Sequence, residues 1–336
     1  MQKNIRILIF SFLVFLFGRA IVHAQSGTLY SYGQQDPQFT QYMFNPAFFN
    51  PAAVGTEPNW VSTANIRNQW VNLPGAPISQ VVTSHLPIYR ISSGAGISIV
   101  NDIAGQQRIT GASLSYAYHK TFRTFTMSLG LSGGMYQWSV NGDKLVTPTG
   151  TYENIIDHND PNLPVTFASK VLPDASAGLY FFGERFTAGV SAAHVITPLV
   201  QGGNDAVSAI QYNPDAYVYL AYRVTINNKF ELTPNVLYKT DLRENMVDIN
   251  AILTYNDNVT AGISFRGFIH SQYDAIALMA GMRITDRWRL SYAYDITTSP
   301  LSTVSSGSHE LVVRYAIPVS KPKAGKMINN PRYLYH

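Results

Sequence analysis

The chain has 336 residues, a formal net charge of +4, no cysteine, 21 tyrosines and only 13% charged residues. Without cysteine it can form no disulfide and carry no thiol-linked lipid anchor. With no basic run along the sequence, nothing points to nucleic acid. The length alone would allow two soluble domains, but alternation fills the chain from Trp60 to Pro318 with no linker between halves.

Residues 1–24 read as a secretory signal. Lys3 and Arg6 give a positive start, residues 7–17 form an apolar core, and Val22-His23-Ala24 places a small residue at the cut. A retained anchor is the alternative, but the apolar run is shorter than the roughly 20 residues a spanning helix needs. Residues 25–59 form an N-terminal segment whose centre, 36–55, concentrates aromatic, Asn and Pro residues without a helical or strand period. Phe39, Tyr42, Met43, Phe44, Phe48 and Phe49 would each gain roughly 1.5–3 kcal/mol on burial, so this segment must dock on something.

From residue 60 to 318 the pattern is period two. In 287–296, Trp288, Leu290, Tyr292, Tyr294 and Ile296 alternate with Arg289, Ser291, Ala293 and Asp295. In 310–317, Leu311, Val313, Tyr315 and Ile317 alternate with Glu310, Val312, Arg314 and Ala316. Such alternation with one apolar face is the strand signal. It predicts about fourteen strands, near 60–71, 77–86, 93–103, 108–120, 123–139, 172–182, 186–196, 213–226, 229–240, 246–256, 258–270, 273–284, 287–297 and 308–317. Every even-numbered connection is short, and all the long loops (141–171, 197–212 and 298–307) are odd-numbered.

That asymmetry predicts an all-β fold: a transmembrane antiparallel up-and-down barrel with short periplasmic turns and longer outer loops. A secreted multi-sheet protein is the alternative, but it has no reason to sort its loops by parity. An even strand count puts both termini in the periplasm, with 319–336 as a basic, aromatic-ended tail. Trp60, Trp70, Trp138, Tyr219, Tyr222, Tyr238, Tyr255 and Trp288 suit interfacial girdles. Arg266, Arg283, Arg289, Asp295, Glu310 and Arg314 are expected on the lumen wall. A barrel of this size leaves a lumen that would leak unless occupied, so the N-terminal segment is expected to plug it or cap its periplasmic mouth.

The motif Asp36-Pro37-Gln38-Phe39-Thr40-Gln41-Tyr42-Met43-Phe44-Asn45-Pro46, followed by Asn50-Pro51-Ala52 and Gly55, resembles the N-terminal signature of the PorP/SprF family, outer-membrane proteins of the Bacteroidetes type IX secretion and gliding-motility system. Arg67-Asn68-Gln69-Trp70 with Pro74-Gly75-Ala76-Pro77, Gly94-Ala95-Gly96 with Asn101-Asp102, and Ser308-His309-Glu310 are similar to later family motifs. Thr40, where Ser is commoner, and Ala53-Val54, where Tyr-Ala is commoner, are mild departures. The resemblance implies an accessory barrel in Gram-negative outer-membrane lipid, with periplasmic ring or peptidoglycan-linked partners and adhesin-type cargo. It carries over Asp36, Pro37, Phe39, Gln41, Tyr42, Asn45, Asn50 and Pro51 as plug or partner contacts, and Arg67, Gln69, Trp70, Asn101 and Asp102 around the first hairpin and following loop.

Enzyme chemistry has little support. Gly130-Leu131-Ser132-Gly133-Gly134 matches G-x-S-x-G but lies in a predicted strand, where the nucleophile motif needs a strand–turn–helix; its small residues suit a close approach instead. Glu153, Asp157, His158 and Asp160 match no known metal loop. Gly94-Ala95-Gly96 lacks a third glycine and a helix. No catalytic residue, metal site or cofactor is expected. A transporter for a solute or hydrophobic ligand stays open as an alternative and predicts an apolar lumen pocket.

Overall fold

The computed structural model describes residues 31–32, 36–142, 145–151, 157, 159, 167–168, 171–196, 199–202, 208–211, 214–241, 244–268 and 273–320. The predicted signal, most of the tail, and Glu153, His158 and Asp160 lie outside them. The barrel strands are β1 Asn59–Asn68, β2 Ile78–Ile88, β3 Ser93–Ala104, β4 Gln107–Thr121, β5 Phe125–Val140, β6 Leu172–Gly183, β7 Phe186–Ala193, β8 Asp215–Tyr222, β9 Phe230–Thr240, β10 Asn245–Tyr255, β11 Val259–Phe268, β12 Tyr273–Arg283, β13 Trp288–Thr297 and β14 Ser308–Pro318. Each pairs antiparallel with its sequence neighbour, and β14 closes on β1, giving a closed barrel of 14 strands. Closure leaves no unpaired edge, which is the condition for strands to cross hydrocarbon.

The predicted strands all appear, with shifted ends. The first stops at Asn68 because Trp70 takes a left-handed backbone (φ 51°), and the seventh stops at Ala193 because His194 does the same (φ 53°). Extended pairing cannot continue through such residues.

The wall separates two chemistries by residue parity. Ile66, Val82, Ile99, Leu114, Leu220 and Leu278 point outward and are exposed, while their sequence neighbours Arg67, Val81, Ser98, Ser113, Tyr219 and Ala277 face inward. An apolar belt outside and polar residues inside is the pattern of a barrel bathed in lipid. Trp60, Tyr222, Tyr255 and Trp288 are exposed on the outer face, as girdle residues should be. Trp138 and Tyr219 are not: they are 6% and 5% exposed and point inward. Trp70 sits in the β1–β2 loop. An aromatic near a strand end declares its depth but not its face.

The short connections 89–92, 122–124, 184–185, 223–229, 256–258 and 284–287 meet at one rim, and the long ones at the other. Asn59 pairs with Pro318, so the barrel begins and ends at the short-turn rim. Ser31, Tyr32 and Asp36 lie at the opposite rim. Ser31 and Tyr32 pair with Ile210 and Gln211 in the β7–β8 loop, and Asp36 bonds His194 and Asp215 at the strand ends beside it. The described chain thus runs the length of the lumen before it enters β1, whereas Pro318 ends the barrel at the short-turn rim; the two termini themselves lie outside the described residues.

Candidate functional site

The segment 36–57 descends through the barrel as a short 3-10 turn (Tyr42–Phe44), one helical turn (Pro46–Phe49) and a second 3-10 turn (Pro51–Ala53). Pro46 and Pro51 each open a turn, where a missing N–H costs nothing. The Asn50 side chain accepts from the Ala52 amide at 2.9 Å and so caps the last turn.

Near the long-loop rim Asp36 is held on every side. His194 Nε2 donates to its Oδ1 at 2.9 Å and the Tyr217 hydroxyl to its Oδ2 at 2.7 Å. The Asp36 amide donates to Asp215 (3.1 Å), and Lys239 Nζ to the Asp36 carbonyl (2.7 Å). The other His194 nitrogen faces Asp174 at 3.1 Å. Burial opposes the charged carboxyl of Asp36, but His194, Lys239 and Tyr217 outweigh it and hold its pKa below the ordinary range. Burial likewise opposes the His194 imidazolium, and Asp36 and Asp174 raise its pKa well above the usual value.

One turn lower, the segment meets a buried charge network. Arg67 reaches Asp295 at 2.5 Å and Glu310 at 3.0 Å, and donates to the Thr40 hydroxyl at 2.8 Å. Thr40 and Gln41 present their amides to the two Glu310 oxygens at 2.7 and 3.0 Å. Arg266 pairs with Asp295 at 3.1 Å and lies 3.6 Å from Asp248, which the Gln38 side chain also contacts. Backbone amides aimed at a buried carboxylate supply the bonds that such a charge needs in low dielectric.

The middle is amide and aromatic. Asn45 donates to Asn65 (2.9 Å) and accepts from Thr83 (2.6 Å). Tyr42 and Phe49 pack edge-on and tilted against Tyr219, at 6.0 and 5.8 Å between centroids. Asn50 donates to the carbonyls of Leu179 and Val190. Towards the short-turn rim, Ser128 donates to the Ala52 carbonyl at 2.6 Å, His119 contacts the Val54 carbonyl, the Gly55 amide donates to His85, and Arg314 bonds Glu57. The backbones are so close here that a Cβ on Gly130 would lie 2.2 Å from the Ala52 nitrogen, and one on Gly94 2.2 Å from the Val54 oxygen. The glycine of the G-x-S-x-G match is thus a packing surface for the lumen segment.

Met43 and Phe44 pack against the cluster of Ile252, Met279 and Ala293, from β10, β12 and β13. With bonds and close contacts to strands on every side of the closed barrel, the segment lies within it. Two cavities beside the segment's upper part measure about 70 Å³, near Asp36 and Tyr136, and about 30 Å³, near Phe39 and Phe48; a wider one of about 340 Å³ opens at the short-turn rim beside Met43, Phe44 and Glu57.

Of the predicted lumen charges, Arg266, Asp295 and Glu310 join the network. Arg289 and Arg314 face the lumen nearer the short-turn rim, and Arg283 there bonds the Asp257 carbonyl in a turn. Arg67, expected only as part of the first hairpin, is the network's centre. Gln69 and Trp70 sit in the β1–β2 loop away from it. Asp102 is buried and accepts from Ser79 at 2.5 Å, whereas Asn101 points outward and bonds Gln80 and Arg108. Sequence reasoning missed Asp248, Asp215, Lys239 and His194. Their signal was present: the first three are polar positions alternating with apolar ones in predicted strands.

A family model described as "Type IX secretion system membrane protein PorP/SprF" matches residues 31–315. The chain belongs to the PorP/SprF family. It is accordingly an outer-membrane β-barrel and a type IX secretion component. The family match runs from residue 31 to residue 315, and so takes in the segment inside the barrel and all of the barrel but the last three residues of β14. No curated protein sequence matches. Among solved structures, the CymD monoaromatic hydrocarbon channel aligns at 11% identity and a TM-score of 0.49, over 84% of this chain and 94% of that one. The Ralstonia pickettii toluene transporter TbuX aligns at 11% identity and 0.49, over 89% and 98%, and Acinetobacter baumannii Omp33 at 8% and 0.45, over 77% and 99%.

Proposed function

We propose that this PorP/SprF barrel is an accessory, non-enzymatic component that supports export or surface attachment of specific adhesin-type cargo, and is not itself the conduit. The observation that carries this reading is the lumen segment: it bonds around the whole wall, and the cavities of about 70 and 30 Å³ beside residues 36–39 leave no passage for a polypeptide or a hydrocarbon ligand between the segment and the wall there. A barrel so filled serves its machinery as a membrane-fixed platform. In this reading the short-turn rim faces the periplasm, the usual side for short turns, and Ser31, Tyr32 and Asp36 lie towards the outer surface beside the long loops, where cargo would be met. Outer-membrane lipid surrounds the wall, and periplasmic ring or peptidoglycan-linked proteins meet the short-turn rim.

The test is a locked barrel. A disulfide between Asn45→Cys and Thr83→Cys would fix the segment to β2. In a deletion strain, the oxidised protein is expected to restore surface display of the cargo as well as the reduced one does. Display that appears only after reduction would show that the lumen must open, and unchanged display with impaired solute uptake in the deletion strain would favour transport instead.

A further inference from the structure

Below the lumen segment the barrel opens at the short-turn rim into a vestibule of about 340 Å³. Its floor is partly the segment itself, Met43 and Phe44, together with Tyr219 and Ile252 from the wall. Its sides carry Arg185, Arg223, Arg289 and Arg314 against Glu57 and Glu184. The strand register makes this more than a chance collection. Arg283 stands directly opposite Arg289, and Arg289 directly opposite Arg314, on three adjacent strands and all on the lumen face. Like charges at opposed positions of a ladder destabilise it, so stability gives no reason for this row.

The row is also incompletely neutralised from within. Arg314 bonds Glu57, yet its Nε is buried without a partner; Arg223 pairs with Glu231 at 3.2 Å; Arg283 is turned to the Asp257 carbonyl. The guanidinium groups of Arg289 and Arg185 hold no hydrogen bond or ion pair among the described residues. An open cavity that combines unspent guanidinium groups with an apolar floor suits a chain bearing carboxylates and bulky side chains together, since guanidinium pairs with carboxylate in a two-bond fork.

We infer that this vestibule is the docking site for an acidic, partly apolar peptide segment of a periplasmic protein. The inference rests on the reading that the short-turn rim is periplasmic. Lipid is not the occupant, because Arg289 and Arg314 share the lumen face with Ala293 and Glu310 and not the outer face. Nor does the chain's own end suit: residues 321–336 carry Lys321, Lys323, Lys326 and Arg332 and no acid. An occupant on this floor touches Met43 and Phe44, only a few residues from Thr40 and the Arg67 network.

The experiment uses the full-length protein purified in detergent micelles and a fluorescein-labelled peptide alternating aspartate and leucine, with the same peptide carrying lysine for aspartate as its control. The acidic peptide is expected to bind and the lysine peptide not. Combining Arg185→Gln with Arg289→Gln is expected to weaken binding at least tenfold, while Arg90→Gln, on the same rim outside the vestibule, leaves it unchanged; heat-modified gel mobility confirms that each barrel is folded. Equal binding of the lysine peptide, unchanged affinity in the double variant, or binding of a muropeptide in place of the acidic peptide would overturn the inference. Orientation is read separately. Labelling of Arg185→Cys by a membrane-impermeant maleimide on intact cells would reject the periplasmic reading and leave the micelle result standing.

Discussion

The two halves of the lumen segment are held by different physics. The upper half, 36–41, is clamped by charge: Asp36 between His194, Tyr217 and Lys239, then Thr40 and Gln41 on Glu310 under Arg67. The lower half, 49–56, is held by contact: Phe49 on Tyr217 and Tyr219, Asn50 on two wall carbonyls, Ala52 and Val54 on bare glycine backbone. Charge fixes geometry strongly but depends on protonation and on each partner being present. Close packing needs no charge and depends on volume. The segment is thereby pinned at one end by a clamp that can be titrated and at the other by one that cannot be enlarged.

The largest effect should come from Arg67→Ala. It leaves Asp295 and Glu310 buried with their main cation gone, and breaking a buried pair from one side costs about 3–5 kcal/mol. The urea midpoint of the barrel in micelles should fall accordingly, and Arg67→Lys should restore only part of it, because a point charge cannot reach both carboxylates. A midpoint unchanged in Arg67→Ala would show that the upper clamp is not structural.

Gly130→Val tests the lower half. Overfilling a packed contact costs about 1–3 kcal/mol. The expected signature is local: Ala52→Cys becomes reactive to a thiol probe in the Gly130→Val background, while Thr40→Cys stays protected. Equal reactivity at both positions would mean that the halves are released together and the contrast is lost.

Tyr217→Phe removes one charge-assisted bond to Asp36 and should cost about 1.5–3 kcal/mol, near the lower end because other donors remain. Faster hydrogen exchange at residues 36–40, with exchange at 50–54 unaltered, is the readout.

The mildest probe is pH. The Asp36 pKa is lowered from 3.8, so its contribution is present above that value and lost as pH falls through the lowered one. The His194 pKa is raised from 6.5, so its contribution is complete below 6.5 and lost as pH climbs through the raised value. The upper clamp is therefore firmest between those ordinary values and loosens towards alkali. The unfolding midpoint of the native protein should drop as pH climbs above 6.5 and through the raised His194 value, and His194→Gln should flatten that slope. A slope of equal size in His194→Gln would assign it to other groups.

Much of this was legible in the residues. Period-two runs gave the strands because lipid outside and a polar lumen inside impose opposite demands on successive side chains. In 287–296 the inward set Arg289, Ser291, Ala293 and Asp295 was readable directly. Trp138 and Tyr219 were misplaced because this lumen is itself partly aromatic, so an aromatic residue does not report its face. Arg67 was visible as a motif member, but its role depends on Asp295 and Glu310, more than two hundred residues away in the chain.

Sequence by itself determined the number of strands, their faces, the parity of the loops and the presence of an apolar N-terminal stretch that had to dock, because each is a local pattern of side-chain polarity. Only the tertiary structure decided that this stretch threads the barrel from the long-loop rim to the short-turn rim, and that Arg67 rather than the late-strand charges alone holds it. Closure decides such things: it brings β14 beside β1 and makes one lumen from fourteen strands, and no local pattern records which residues then meet across it.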